Sequence, residues 1–216
     1  MNGNQGIIAS ERRSEYQYDY NPVSIRAGSK KSSQETELVN DYFRRRHDMF
    51  SVKFGWEPVR ADGMESDGYD LFGRCDYILS ARSDGKVGAG CRLIWHTPTP
   101  TSRLPVQDFL SNPEEVKSNA VEISRMVSTP EASQNSKRFL WYLLGYLSER
   151  EVPGVYVTIR ERLLRRYEHS GFYCYKRLPG KEKIKINRNG REEHFLPVWI
   201  DLDGYQEALK ILSQLV

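Results

Sequence analysis

Between Val121 and Gly171 the chain alternates strand-like and helix-like runs, and this alternation restricts the fold more than any other feature. VEISRMVS, Val121 to Ser128, reads as a strand. SKRFLWYLLGYLSER, Ser136 to Arg150, is apolar nearly all round its middle, with Ser136 placed as an N-cap, and predicts a helix buried against a sheet. VPGVYVTIR, Val152 to Arg160, predicts a further strand, and ERLLRRYEHSGF a second helix that stops at Gly171. Strand, helix, strand, helix at this spacing implies an α/β domain with helices packed on the sheet.

The flanking segments extend that plan. CDYILSARSDGKVGAGCRLIW predicts a hairpin: Tyr77, Leu79 and Ala81 alternate, Asp84-Gly85 turns, and Val87 to Trp95 returns. Gly88 and Gly90 in the returning strand imply a bulge or the close approach of another group. His96 to Pro105 is proline-rich and serves as a connector, with Phe109 and Leu110 anchoring its far end in the core. Phe172 to Arg177 and Phe195 to Asp201 predict more strands, separated by a charged hairpin region around Asn189-Gly190, and GYQEALKILSQLV predicts a terminal helix. Residues 1–33 are polar apart from the aromatics of Tyr16 to Tyr20, and composition leaves them free to be a flexible extension. Residues 34–216 then form a single domain, a length that suits one substantial core.

Composition excludes several function classes. A net charge of +3 does not demand a nucleic-acid partner. Cys75, Cys91 and Cys174 have no CxxC or histidine-rich company, which argues against structural zinc and a disulfide framework and fits a reducing cytoplasm. No apolar run approaches the roughly 20 residues that span a bilayer, and the N-terminus is polar, so a cytoplasmic protein with no membrane partner is expected. No P-loop or GxGxxG occurs, and four histidines make a histidine-based metal site a poor expectation.

RRRHDMFSVKFGWEPVRADGMESDGYD, Arg44 to Asp70, reads as a ligand wall. Leu38, Val39, Tyr42, Phe43, Phe50 and Phe54 mostly suit one helical face, and Arg46 and Phe50, four apart, can present a cation and a ring to one ligand. Gly55 ends the helix; Trp56, Glu65, Asp67 and Asp70 follow in a loop without periodicity. A solvated basic face balanced by acids is the plainer reading of these charges. Arg92 is either a sheet-edge charge or an anion ligand. Glu122 and Arg125 point to opposite faces of a regular strand, unless a bulge lies between them.

The set Arg46, Phe50, Trp56, Asp67, Asp70, Arg92, Phe109, Glu122 and Arg125, with the EISR quartet, resembles the signature of the acyl-homoserine-lactone synthases, the LuxI-type autoinducer synthases. The resemblance covers roughly Glu37 to Asp201. It implies a GNAT-like (acyl-CoA N-acyltransferase-like) fold: a mixed, twisted sheet with helices on both faces and a V-shaped cleft between splayed central strands, VEISRMVS being the strand at the splay. It also implies an acyltransferase making an N-acyl-homoserine lactone, a quorum-sensing signal, from S-adenosylmethionine and an acyl thioester, with release of methylthioadenosine. S-adenosylmethionine is a substrate in that reaction, and no cofactor or metal is implied.

On this resemblance Glu122 is the base that frees the attacking amine, and backbone amides of its strand stabilise the oxyanion. Arg46, Phe50, Trp56, Asp67, Asp70, Arg92 and Arg125 bind S-adenosylmethionine or order its pocket; a buried ion-pair network is the structural alternative. The acyl chain lies against Met126, Phe139, Trp141, Tyr142, Leu143 and Tyr146, with Phe109 in the signature and Thr158 suited to a 3-oxo group, although plain core suits each alone. Lys137, Arg138, Arg150, Arg160, Arg162, Arg165 and Arg166 form a basic cluster able to dock an acidic acyl carrier protein, or a solvated face. The RxxGxG/A loop of coenzyme A users is absent from Thr129 to Lys137, which favours the carrier protein over coenzyme A. Two rivals stand: an N-acyl amino acid synthase on the same scaffold, and a non-enzymatic module binding an acyl chain or nucleic acid.

Overall fold

The computed structural model describes residues 22–96, 103–129, 136–169 and 175–202. In chain order the elements are β1 (Val23–Arg26), α1 (Ser33–Arg46), α2 (Gly68–Leu71), β2 (Cys75–Ala81), β3 (Val87–Trp95), β4 (Val121–Ser128), α3 (Ser136–Ser148), β5 (Gly154–Arg160), α4 (Glu161–His169), β6 (Tyr175–Arg177), β7 (Lys183–Ile186) and β8 (Glu192–Asp201). The described strands form one mixed sheet in the order β1-β2-β3-β4-β5-β8-β6, with β7 also on β8. All pairings are antiparallel except β4 with β5.

Alternating side chains divide the core between the two faces of the sheet. On one face Leu38, Val39 and Tyr42 of α1 pack with Tyr77, Leu79 and Ile94. On the other, Phe139, Leu140, Leu143, Leu144 and Leu147 of α3 pack with Ile78, Cys91, Leu93, Ile123 and Val155. α1 begins with a reciprocal cap: Ser32 Oγ accepts from the Glu35 amide at 3.2 Å, and the Glu35 carboxylate accepts from the Ser32 amide at 2.8 Å. At its other end the helix widens into a π-helical segment, His47–Lys53, before Gly55 at φ 70° turns the chain.

The central parallel pair is short. Val121 to Ile123 pair with Val155 to Val157, and the pairing goes no further. Beyond it β4 is bulged: Arg92 sits opposite Ser124 but Gly90 opposite Val127, and Arg125 takes up the extra length at φ 52°, a costly value for a residue with a Cβ. Tyr42 pins the bulge, its hydroxyl donating to the Arg125 carbonyl at 2.8 Å. A Cβ on Gly90 would come 2.8 Å from Leu79 and 3.1 Å from the Tyr42 ring, the close approach that the sequence implied.

Several expectations need correction. The segment 1–33 is not wholly an extension: Val23–Arg26 pairs with β2 as an outer strand, and Ser32 caps α1. Asp70 lies in the helical turn α2, with Asp67 as its cap, because Asp67 accepts from the Tyr69 amide at 3.0 Å. Arg92 is on an interior strand, 2% exposed, not at a sheet edge. Leu104 and Val106 are the fully buried anchors of the connector; Leu110 packs half-buried against the same core, as expected, whereas Phe109 lines a cavity. β7 had no counterpart in the sequence reading; it forms the first arm of the charged hairpin. Residues 1–21, most of the proline-rich connector, the α3 cap, the end of α4, residues 172–174 and the terminal helix lie outside the described residues.

Candidate functional site

Where β4 and β5 diverge, a cavity of about 480 Å³ opens between them. Phe50, Phe54, Trp56, Glu57 and Asp67 wall it on the α1 side, and Glu122 to Met126 and Val157 to Arg160 form its splayed edges. Leu140, Leu163, Leu164 and Tyr167 make an apolar branch on the α3 and α4 side, and Lys183, Lys185 and Phe195 close the far wall. The cavity thus joins a polar, aromatic chamber on one face of the sheet to an apolar one on the other.

The polar chamber is ordered by a buried ion network. Arg46, 0% exposed, pairs through Nε with Glu65 and through its two terminal nitrogens with Asp70 at 3.1 and 2.9 Å. Arg92 Nη1 reaches Asp67 at 2.5 Å and Asp70 at 3.0 Å, and its Nε donates to Ser124 Oγ at 3.1 Å. Burial alone would raise the Asp70 carboxyl, but Arg46 and Arg92 hold it well below the usual carboxylate range. Arg125 reaches Glu65 at 3.1 Å, Glu57 at 3.4 Å and Asp67 at 3.6 Å. These charges tie the Trp56–Asp70 segment to the bulged strand.

Arg46 and Phe50 do not meet on the cavity wall, contrary to what their spacing implied: Phe50 lines it and Arg46 does not. Glu65 and Asp70 hold the Arg46 guanidinium inside the protein. The Arg46 guanidinium lies over Tyr42 and Phe43, at 5.3 and 5.2 Å, and stays off the cavity wall, while the cation over Phe50 is Arg125 at 5.6 Å. Phe54 stacks on Trp56 at 4.2 Å and Phe195 meets it edge-on at 5.0 Å, so the aromatic wall is itself packed in place.

Glu122 is 2% exposed and lies in the wall at the point of divergence. Its Oε2 accepts from the Val106 amide at 2.7 Å. Burial pushes its carboxyl up to about 8, with the Val106 hydrogen bond and Arg92 working in the opposite direction. The bulge decides which side chains share its chamber: Glu122, Ser124 and Arg125 line the cavity with Arg125 paired to Glu65 on the α1 side, which a regular strand would not allow for Glu122 and Arg125 together, while Met126 packs on the α3 side. Such an arrangement holds a buried carboxyl, able to exchange a proton, in a walled site beside fixed charges. Among the described residues no cluster of side chains is placed to hold a metal ion, and no helix is long and apolar enough to cross a membrane.

The acyl-side expectations divide. Phe109, Met126 and Thr158 line the cavity, and the Thr158 Oγ1 is buried with no hydrogen-bond partner among the described residues. Phe139 and Leu143 are instead core. Tyr142 donates to the Pro22 carbonyl at 3.2 Å, and Tyr146 is 2.8 Å from Ser24 Oγ, so both rings tie α3 to the β1 segment. The apolar branch uses Leu140 from α3, and Leu163, Leu164 and Tyr167 from α4, whose i, i+1 and i+4 spacing marks one helical face but not a cavity wall.

The basic cluster is also not one surface. Arg150 sits over Tyr146 at 3.5 Å, and Arg160 lines the cavity over Phe54 and Trp56 at 5.1 and 5.5 Å. Arg162, Arg165 and Arg166 are exposed on α4, with Arg165 paired to Glu161 at 2.7 Å. The side chains of Lys137, Arg138 and Trp141 lie outside the described residues. Lys183, Lys185 and Glu57, absent from the sequence reading, complete the wall, with Lys185 bonded to Glu57 at 2.7 Å.

Comparison with known proteins agrees with this architecture. The family model described as autoinducer synthase matches residues 29–172. A CoA-dependent acyl-homoserine lactone synthase, BjaI, solved with SAM and isopentyl-CoA, superposes with a TM-score of 0.68 at 20% identity, covering 89% of this chain and 87% of its own. The AHL synthase LasI superposes with a TM-score of 0.65 at 21% identity, covering 91% and 95%. An acyl-CoA N-acyltransferase from Pseudomonas aeruginosa shares the fold at a TM-score of 0.53, 17% identity, and 84% and 99% coverage. The fold is therefore GNAT-like, with the cavity at the splay of its central strands.

Proposed function

Because the chain belongs to the autoinducer synthase family, we propose that it makes an N-acyl-homoserine lactone from S-adenosylmethionine and an acyl thioester carried on an acyl carrier protein. The observation that carries this reading is the position of Glu122: a buried carboxyl whose affinity for protons is raised to about 8, at the junction of a charged aromatic chamber and an apolar one.

In the proposed reaction Glu122 takes a proton from the substrate ammonium, whose pKa of about 8 matches that of its carboxyl. The freed amine attacks the thioester carbonyl and the carbon–sulfur bond breaks; the departing thiolate takes up the second proton that nitrogen loses as the amide forms, and the proton on Glu122 passes to solvent. Amides of the bulged strand, which lacks β5 as a neighbour past Ile123, are suited to receive the developing oxyanion. The methionyl carboxylate then attacks the carbon beside the sulfonium, closing the lactone. The electron pair of the broken carbon–sulfur bond goes to sulfur and leaves neutral methylthioadenosine. Positioning by the walls suffices for this step, because the leaving group already carries the positive charge.

Phe50 and Trp56 offer ring faces to the adenine or the sulfonium, and Asp67 faces the ammonium side of the chamber. Arg46, Asp70, Arg92 and Arg125 order that chamber through their ion pairs. The acyl chain occupies the Leu140, Leu164 and Tyr167 branch, with Phe109 and Met126 at its entrance. The unpaired hydroxyl of Thr158 supports recognition of a 3-oxo group; an unchanged ratio of 3-oxo to unsubstituted product in Thr158→Val would refute that role. Exposed Arg162, Arg165 and Arg166 support docking of an acidic carrier. Purified protein supplied with S-adenosylmethionine and matched carrier-protein and coenzyme A donors should form an acyl-homoserine lactone, faster from the carrier protein. Acyl amino acids without lactone would identify the other acyltransferase reading instead.

A further inference from the structure

Most charges of the cavity wall are paired. Arg92 and Arg125 meet carboxylates, and Lys185 meets Glu57. Arg160 and Lys183 differ: both line the cavity, and neither has a carboxylate within ion-pair distance among the described residues. Burial lowers the proton affinity of both, Arg160 against a partial counteraction from Glu193, and Lys183 with Lys185 adding to the effect. An anion placed between them would reverse that penalty.

The sheet register places these two cations in one row, on either side of Phe195. Arg160 on β5 is opposite Phe195 on β8, and Phe195 is opposite Lys183 on β7. Register partners project from the same face, so Arg160, Phe195 and Lys183 form one row across three neighbouring strands. Arg160 is the last residue of β5, at the open end of the V. Each cation is braced by rings: Arg160 over Phe54 and Trp56, and Lys183 Nζ 5.0 Å from the centre of Phe109.

Distance selects the anion. Glu122 is opposite Tyr156, and Arg160 lies four residues further along β5, about 13 Å at 3.3 Å per residue. The S-adenosylmethionine carboxylate shares a carbon with the amine that Glu122 is proposed to deprotonate, so it stays close to Glu122. The phosphodiester of a pantetheine thioester is separated from its carbonyl by an extended arm of a dozen or so bonds, which suits the open end of the V. We propose that Arg160 and Lys183 clamp the phosphodiester of the phosphopantetheine arm of the acyl donor. This rests on the thioester reading above and assigns Arg160 to the arm rather than to the carrier-protein surface. Because carrier proteins and coenzyme A share that arm, the clamp serves either source.

The test compares four donors of one acyl group: the carrier-protein thioester, the coenzyme A thioester, acyl-phosphopantetheine, and acyl-pantetheine without phosphate. In Arg160→Met and Lys183→Met, KM should rise on the order of tenfold per cation for the three phosphate-bearing donors. KM for acyl-pantetheine should stay at its wild-type value in both variants, and KM for S-adenosylmethionine at its wild-type value in Lys183→Met. The milder Lys183→Gln, checked for an unchanged thermal midpoint, guards against misfolding. A KM change confined to the carrier-protein donor would make the pair a protein-docking contact, and one confined to S-adenosylmethionine would place its carboxylate there; either overturns the clamp. Should the wild type form no product with any donor, calorimetry still decides: phosphopantetheine must bind wild type more tightly than pantetheine, with the difference lost in both variants. Equal binding of the two refutes the proposal.

Discussion

The carboxyl of Glu122 holds its proton up to about pH 8 because an apolar strand surrounds it, and this has opposite consequences for activity and stability. The base form needed for catalysis grows as pH rises through that value. Replacement by Gln should lower kcat by about 10²- to 10⁴-fold at pH 8, measured under saturating substrates. For stability the sign is reversed. The folded state binds this proton more tightly than the unfolded chain, so the contribution is fully present below the ordinary carboxylate range and is lost as pH rises through about 8. The denaturation midpoint of the wild type, relative to Glu122→Gln, should therefore fall between pH 5 and pH 9; a constant difference would show that Glu122 is ionised throughout. Neither consequence could be read from VEISRMVS, where only the burial of a charged residue within an apolar run was visible.

At the scale of elements, the ion network joins α1, α2, β3 and β4. Asp70 receives both Arg46 and Arg92, so Asp70→Ala leaves two buried guanidinium groups short of a partner. Unfolding in urea at pH 7 should show a loss of about 3–5 kcal/mol. Its depressed carboxyl contributes stability above the ordinary carboxylate range and loses it only as pH falls through the lower folded value, so the wild-type advantage should persist at pH 5 and shrink towards pH 2. Gly90→Ala should cost about 1–3 kcal/mol, because the new methyl meets Leu79 and Tyr42, the residue that pins the bulge. The acids and arginines of this network were legible as residue types, but their pairing was not, since contacts across four elements leave no local spacing. Arg46 and Phe50 show the limit of spacing: an offset of four puts two residues on one side of a helix, but says nothing of Glu65 and Asp70, which hold the guanidinium off the cavity wall. β1 and β7 went unseen for another reason. VSIR and KIKI are too short to establish a period, and they become strands because β2 and β8 offer them partners.

For the molecule as a whole, the alternation from Val121 onward did specify the layered α/β plan, and the bulge that sequence reasoning could only allow is what opens the cavity. The direction of α3 was harder to see, because a helix apolar all round does not declare which residues meet a cavity. Leu140 meets it, whereas Leu143 packs in the core and Tyr142 and Tyr146 reach the β1 segment. If the Leu140 and Leu164 branch holds the acyl chain, Leu164→Trp should shift the preference in kcat/KM towards shorter donors while leaving KM for S-adenosylmethionine unchanged. A uniform fall across chain lengths would instead mark Leu164 as core alone. If one site performs both acylation and lactone closure, the most direct measurement is the stoichiometry of methylthioadenosine to acyl-homoserine lactone in wild type and Glu122→Gln. The wild type should give one methylthioadenosine per lactone, with both products falling together in the variant. Acylated product without methylthioadenosine, or methylthioadenosine release that Glu122→Gln leaves untouched, would contradict a single site for both steps.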